Sequence, residues 1–160
     1  MENYMVSREG SLQYSTSRFG DIEISEGQEI WIKGGLFGFT NLSKYIIIHQ
    51  HSQGPFVWLQ SLERPELAFP LIDPHLAYPD YMLEISREEA DEIGIEDEDD
   101  VKIFVLAAMQ AGNKLLQLNM QGPLIINQKK NLAMQFVDHH CQYSGEVGLE
   151  SANEKQVNGG

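Results

Sequence analysis

The side chains that could do chemistry are few, and their spacing does not suit it. His49 and His51 stand two apart in a strand-like run, so both rings face one side, as two metal ligands should. A third ligand is missing, because His139-His140-Cys141 matches no zinc spacing, and no metal site is expected. Glu96-Asp97-Glu98-Asp99-Asp100 invites a calcium reading, yet neither the central glycine nor the glutamate at the twelfth position of an EF-hand follows. It reads instead as a solvated connection from helix to strand, with a charged contact for a basic partner as its functional alternative. Ser61, Ser86, Ser144 and Cys141 are available as nucleophiles, but none sits in a Gly-x-Ser-x-Gly elbow, and no hydrolase or other enzyme is expected. Gly34-Gly35-Leu36-Phe37-Gly38 lacks the Lys-Ser/Thr of a phosphate loop and is flanked by strands rather than a helix start. It is better read as a turn exposing Leu36, Phe37 and Phe39, with at least one of them packing inward.

Bulk composition points away from nucleic acid. With 11 Lys plus Arg against 24 Asp plus Glu, the formal charge is -13, and nucleic-acid affinity rests on cations meeting phosphates. A basic protein partner suits an acidic surface, which also keeps a protein in solution. The lone Cys141 cannot form an internal disulfide, and no leader or apolar run approaching the ~20 residues of a spanning helix is evident. A cytoplasmic protein without membrane contact is expected. A small-ligand or flavin-binding β-barrel is the rival reading, though the four arginines and seven lysines are dispersed rather than gathered for a cofactor phosphate.

The elements that must position these residues are short strands. At 160 residues and 42% hydrophobic, the chain is the size of one domain with a single core. Residues 1–15 form a polar, Ser-rich N-terminal extension that stays loose or adds an edge strand, and residues 150–160 a disordered tail. Between them, in a domain spanning 16–149, strands are expected at 18–24, 29–33 and 44–50, where Ile46-Ile47-Ile48 is apolar on both faces and calls for cover on each side. Two more flank the turn signals Gly54-Pro55 and Glu63-Arg64-Pro65-Glu66, and others fall at 101–109, 114–120, 124–128 and 134–137, with Ala111-Gly112-Asn113 a hairpin turn. Ser86 and Glu89 write a capping box for a helix that Gly94 closes, and a weaker helical turn follows Asp73-Pro74 over 75–81. Trp31, Trp58, Phe56 and Phe69 are most economically core residues. The fold class is mainly β: a single-domain, compact antiparallel β-barrel-like fold with one or two short helices, since closure removes exposed edges.

Three blocks carry a more specific signal: Gly35-Leu36-Phe37-Gly38-Phe39; Phe56-Val57-Trp58-Leu59-Gln60-Ser61 with Leu67-Ala68-Phe69, Asp73-Pro74 and Pro79-Asp80-Tyr81; and Asn119-Met120-Gln121-Gly122-Pro123-Leu124-Ile125-Ile126-Asn127. In this order and spacing the chain, from about Arg18 to Leu149, resembles the FliW family of bacterial flagellar assembly factors. The resemblance implies a β-rich domain that binds two proteins, flagellin and the RNA-binding translational repressor CsrA, with no cofactor and no catalytic residue. Under it, Leu36, Phe37 and Phe39 are expected to offer an apolar groove to flagellin, and Glu96, Asp97, Glu98 and Asp99 a charged contact to CsrA. The chain departs from the family pattern at Phe37, where proline is usual, at Met120-Gln121-Gly122, and at Pro70, which marks an edge, bulge or strand end. Tyr143 is kept without the basic residues expected near it.

Overall fold

A computed structural model of the chain describes residues 5–8, 10–50, 54–109 and 115–148. His51, the expected hairpin at 111–113 and the tail at 150–160 lie outside the described residues. The first three strands, β1 (Met5–Arg8), β2 (Ser11–Thr16) and β3 (Gly20–Ser25), form an antiparallel sheet of their own, with β2 and β3 paired along all of their length. Thr16 explains why the strand expected at 18–24 begins late. Its hydroxyl accepts from Phe19 N and donates to Gly20 O, both at 2.8 Å, which shapes a turn before pairing resumes. Arg18 and Phe19 then lie on Trp58, the guanidinium 4.1 Å from the ring centroid and the Phe19 ring edge-on at 6.0 Å.

Seven strands close a barrel in the order β10 (Leu124–Asn127), β11 (Leu132–Gln135), β4 (Ile30–Ile32), β5 (Lys44–His49), β6 (Val57–Ser61), β7 (Ala68–Ile72) and β8 (Val101–Met109), with β8 pairing back to β10. A ring with an odd number of strands cannot alternate direction all the way round, so one pair must be parallel. That pair is β11 with β4, Leu132 opposite Trp31 and Ala133 opposite Ile32. β8 is the longest strand because it serves two neighbours in tandem on one edge: residues 101–104 pair with β10, and 107–109 with β9 (Leu115–Leu118). β12 (Glu146–Gly148) pairs with β9 as a small extension.

Alternation along the strands sends Ile30, Ile32, Tyr45, Leu59, Leu71, Phe104, Leu124, Ile126 and Ala133 inward to fill the barrel. The outer faces of β8 and β9 bury Val105, Ala107, Leu116 and Leu118 beneath Tyr81 and the short helix α1 (Pro74–Ala77). A third cluster joins Ile93, just past α2 (Arg87–Glu92), to Ile125 and Phe136. The strand buried on both faces is therefore β10, not the expected 46–48 run. Ile47 packs on the core while Ile46 and Ile48 stay half-buried on a face that no helix covers. α2 carries the expected capping box, Ser86 Oγ accepting from Glu89 N at 3.0 Å and Glu89 Oε1 from Ser86 N at 2.9 Å. Among the described residues no helix is long and apolar enough to cross a membrane.

Pro70 sits within β7 without breaking it. Ser61 N donates to Leu67 O at 3.0 Å, so that pair is hydrogen-bonded, and alternation makes Trp58–Pro70 a non-hydrogen-bonded pair. The missing amide faces away from β6, where the β7–β8 ladder has already ended at Leu71. The most recognisable sequence block also proves to be turn-building. Gln60, fully buried, donates to the carbonyls of Ser61, Pro65 and Leu67, and Ser61 Oγ accepts from Glu63 N and Arg64 N.

Candidate functional site

Residues 34–39 leave β4 and fold back at once. Gly35 has φ +69, and a Cβ there would lie 2.5 Å from Phe39 O and 2.9 Å from Leu42 O, so only glycine fits. Phe39 N donates to Leu36 O at 2.8 Å across Phe37 and Gly38, and Gly38 has φ +89 at the third position, which makes a type II turn. The turn sends Leu36 into the core at 1% exposure and leaves Phe37 at its tip at 50%. Phe39 packs edge-on against Phe69 with ring centroids 5.2 Å apart. Of the three residues expected to line an apolar groove, Leu36 is thus a core residue, Phe39 is half-buried, and Phe37 is the one whose ring meets solvent.

Type II turns favour proline at their second position, the residue the family pattern has in place of Phe37. Phenylalanine does there what proline cannot: its N–H donates to Gln135 Oε1 at 2.8 Å. Gln135 is buried on β11 and donates in turn to Gly122 O at 2.9 Å. The Phe37 ring rests beside Gly122, where a Cβ would meet its Cε2 at 3.2 Å and Asn119 Nδ2 at 2.8 Å. Residues 119–123 are the loop that β8 leaves between its two neighbours, with Asn119 N bonded to Leu106 O at 2.9 Å. Phe136 N to Pro123 O and Asp138 N to Gln121 O fasten the following segment alongside, and Val137 between them is 50% exposed. Two blocks some eighty residues apart in sequence are therefore tied by hydrogen bonds into one small apolar patch around Phe37.

Beside it lies an acidic face. Lys33, just before the turn, pairs with Glu92 of α2. From there the chain presents nine acids between residues 88 and 100. Glu96, Asp97, Glu98 and Asp99 are all exposed. Glu96 pairs with Lys130 at 3.3 Å, whose side chain crosses over Gly94, and Asp97 Oδ1 caps a 3-10 turn at Glu98–Asp100 by accepting from Asp99 N at 2.9 Å. Lys33, Lys130 and Arg87 at the start of α2 set three cations against nine carboxylates, which leaves this face negative.

The remaining candidates are engaged locally. Ser61 and Ser86 cap turns as described, Ser144 Oγ accepts from Glu146 N at 3.2 Å, and Cys141 Sγ lies 3.7 Å from Tyr143 O. His49 is exposed at the end of β5, the amide of His140 donates to Asp138 Oδ1 at 3.1 Å, and among the described residues no three His, Cys, Asp or Glu side chains converge on one point. Of the aromatic residues expected in the core, Phe69 packs against the barrel core and Phe56 against the second cluster, while Trp31 lies outside. Trp31 is 45% exposed with Lys44 Nζ 5.0 Å from its ring, because β4 turns Ile30 and Ile32 inward, and Trp58, Phe56 and Phe69 are half-buried at the barrel's margins.

Sequence reasoning missed a tyrosine cluster. Tyr143 lies 5.0 Å from Tyr78 and 5.1 Å from Tyr81 between ring centroids, and His75 meets Tyr81 edge-on at 5.4 Å. Tyr78 OH donates to Ser144 O at 2.7 Å and Met82 N to Tyr143 OH at 3.2 Å, which pins the C-terminal segment over α1. Burial, with Asp138 adding its charge, pushes the Tyr81 hydroxyl up to about 12. Tyr45, inside the barrel, is likewise raised to about 12 by burial and by Glu63. The signal was present in Tyr78, Tyr81 and Tyr143, but only the fold brings residue 143 back.

Comparison with known proteins gives one answer. The family model described as FliW protein matches residues 13–147. The flagellar assembly factor FliW of Syntrophus aciditrophicus is 36% identical over 126 residues, 79% of this chain and 80% of that protein. That of Geobacter sulfurreducens is 32% identical over 133 residues, 83% of each. A crystal structure of the flagellar assembly factor FliW superposes with a TM-score of 0.77 at 28% identity, covering 86% of this chain and 96% of that one.

Proposed function

The chain belongs to the FliW family and is a flagellar assembly factor, and from that premise we propose that it acts by holding flagellin or, in exchange, the translational repressor CsrA. The observation that carries this reading is the pairing of two unlike surfaces, an exposed apolar tip at Phe37 and the acidic run from 88 to 100. Phe37 is the anchor for an apolar face of flagellin, in the manner of a helix laid on a hydrophobic patch. The acids, Glu96, Asp97, Glu98 and Asp99 among them, attract the basic repressor and repel the RNA backbone it would otherwise hold.

The switch works by mass action in the cytoplasm. Scarce flagellin leaves the protein on CsrA, so flagellin mRNA is translated; accumulating flagellin takes the protein up and frees CsrA to repress. Linkage then requires each partner to weaken the other equally. Calorimetric titration against purified flagellin and against CsrA, each repeated with the other present, tests this. Tight binding to both with mutual loss is expected. Binding to flagellin alone would reduce the role to a chaperone, and binding to neither would end the proposal.

A further inference from the structure

The barrel is not sealed at the end where β5 finishes and β8 begins. A cleft of about 460 Å³ opens there, floored by Ile30, Ile47, Phe104 and Ile126 from four different strands. Barrel mouths are a favoured place for small ligands, and this volume falls within the usual range. Lys102 stands at the rim on the same face of β8 as Phe104 and directly opposite Ile126 in the β8–β10 register. It forms no ion pair among the described residues, and no Asp or Glu lines the cleft. In a chain whose acids outnumber its bases 24 to 11, Lys102 is thus a cation without an ion-pair partner above an apolar floor.

The rim is shaped by a turn residue in the left-handed region, which asparagine tolerates. Asn131, the one non-glycine residue with positive φ among the described residues at 54°, donates through its side chain to Gly27 O and accepts Trp31 N–H on its carbonyl at 3.0 Å. We propose that this mouth binds a small amphipathic anion, an alkyl chain lying on Ile30, Ile47, Phe104 and Ile126 with its carboxylate against Lys102 Nζ. The inference stands apart from the exchange of protein partners and uses none of its residues.

Decanoate and its neutral counterpart decanol are the probes, added below their aggregation limits to the full chain while isoleucine methyl resonances are followed. Decanoate is expected to bind with one-to-one saturation, shifting the methyls of Ile30, Ile47 and Ile126. Decanol should bind at least about tenfold more weakly, because its hydroxyl offers Lys102 a hydrogen bond without the opposite charge. Lys102→Glu should weaken decanoate by at least about tenfold and leave decanol unchanged, while Lys129→Glu leaves both unchanged. Because Lys102 is exposed, the variant keeps its fold, checked by an unaltered melting curve. Equal affinity for decanol, an unmoved decanoate affinity in Lys102→Glu, shifts confined to other methyls, or no saturation by about 1 mM would each overturn the proposal.

Discussion

Replacing Gln135 by leucine isolates the device that joins the two halves of the Phe37 patch. Leucine keeps nearly the same volume, so the cavity contribution is small. What is lost is the pair of hydrogen bonds from Phe37 N, at 2.8 Å, and to Gly122 O, at 2.9 Å. Leaving a buried donor or acceptor unmatched costs about 1–3 kcal/mol each. The Phe37 amide is part-buried and belongs at the lower end, while Gly122 is buried, which gives a total of about 2–4 kcal/mol. Urea unfolding followed by circular dichroism should show that loss as a lower midpoint at unchanged slope. Phe37→Pro supplies the control. Proline suits the second position of a type II turn and recovers about 0.4–1 kcal/mol through the unfolded state, but it has no amide to give Gln135. On the Phe37→Pro background, Gln135→Leu should therefore cost about 1 kcal/mol less than it does alone. A loss below about 0.5 kcal/mol for Gln135→Leu, or strict additivity in the double-mutant cycle, would refute the bridging role.

Three further outcomes follow from other parts of the molecule. Gly35→Ala should cost more than about 3 kcal/mol or prevent folding, since its Cβ would sit 2.5 Å from Phe39 O at a φ of +69, whereas Gly38→Ala meets open space and bears only the backbone strain; thermal melts compare the two. Tyr45 and Tyr81, held near 12, should remain protonated in a spectrophotometric titration carried past pH 10, the ordinary tyrosine value. Their folded-state values are raised, so the stability they contribute is complete below pH 10 and lost as pH climbs toward 12; Asp138→Asn should lower the Tyr81 value, and an unmoved curve would remove Asp138 as a cause. Changing Glu96, Asp97, Glu98 and Asp99 to their amides, which keeps Asp97's cap as an asparagine oxygen, should slow association with CsrA and flatten its salt dependence with little effect on melting; an unchanged rate would free the acidic loop of that role.

What could be read in the sequence was local. The Ser86–Glu89 box, the helical turn after Asp73-Pro74 and most strand positions depend on neighbours a few residues away, and period-two alternation marks which face turns inward. The need to close sheet edges pointed to the barrel, and the resemblance supplied the family, which the matched region shows. What escaped depends on distance along the chain. Nothing near Trp31 says that Leu132 will run parallel to it, and nothing near Gln135 says that its amide will meet Phe37. Leu36 and Phe37 are adjacent and both apolar, and only the handedness of the turn decides which one is buried. Trp31 was assigned to the core on its size, but strand parity, with Ile30 and Ile32 on the inner face, gave it the outside.

The single parallel seam also sets a clock on synthesis. Trp31 and Ile32 must wait for Leu132 and Ala133, 101 positions later, before the ring can close. At about 5–20 residues per second, translation leaves that edge of β4 unpaired for roughly 5 to 20 seconds. Hairpin pairing with β5 can begin early, since Ile30 meets Tyr45 only 15 positions on, but a three-residue strand held on one side is a weak one. The protein therefore emerges as an open, curling ribbon and becomes a barrel as one of its last acts. Chains interrupted anywhere before residue 132 lack the strand that completes them and carry a bare edge in its place.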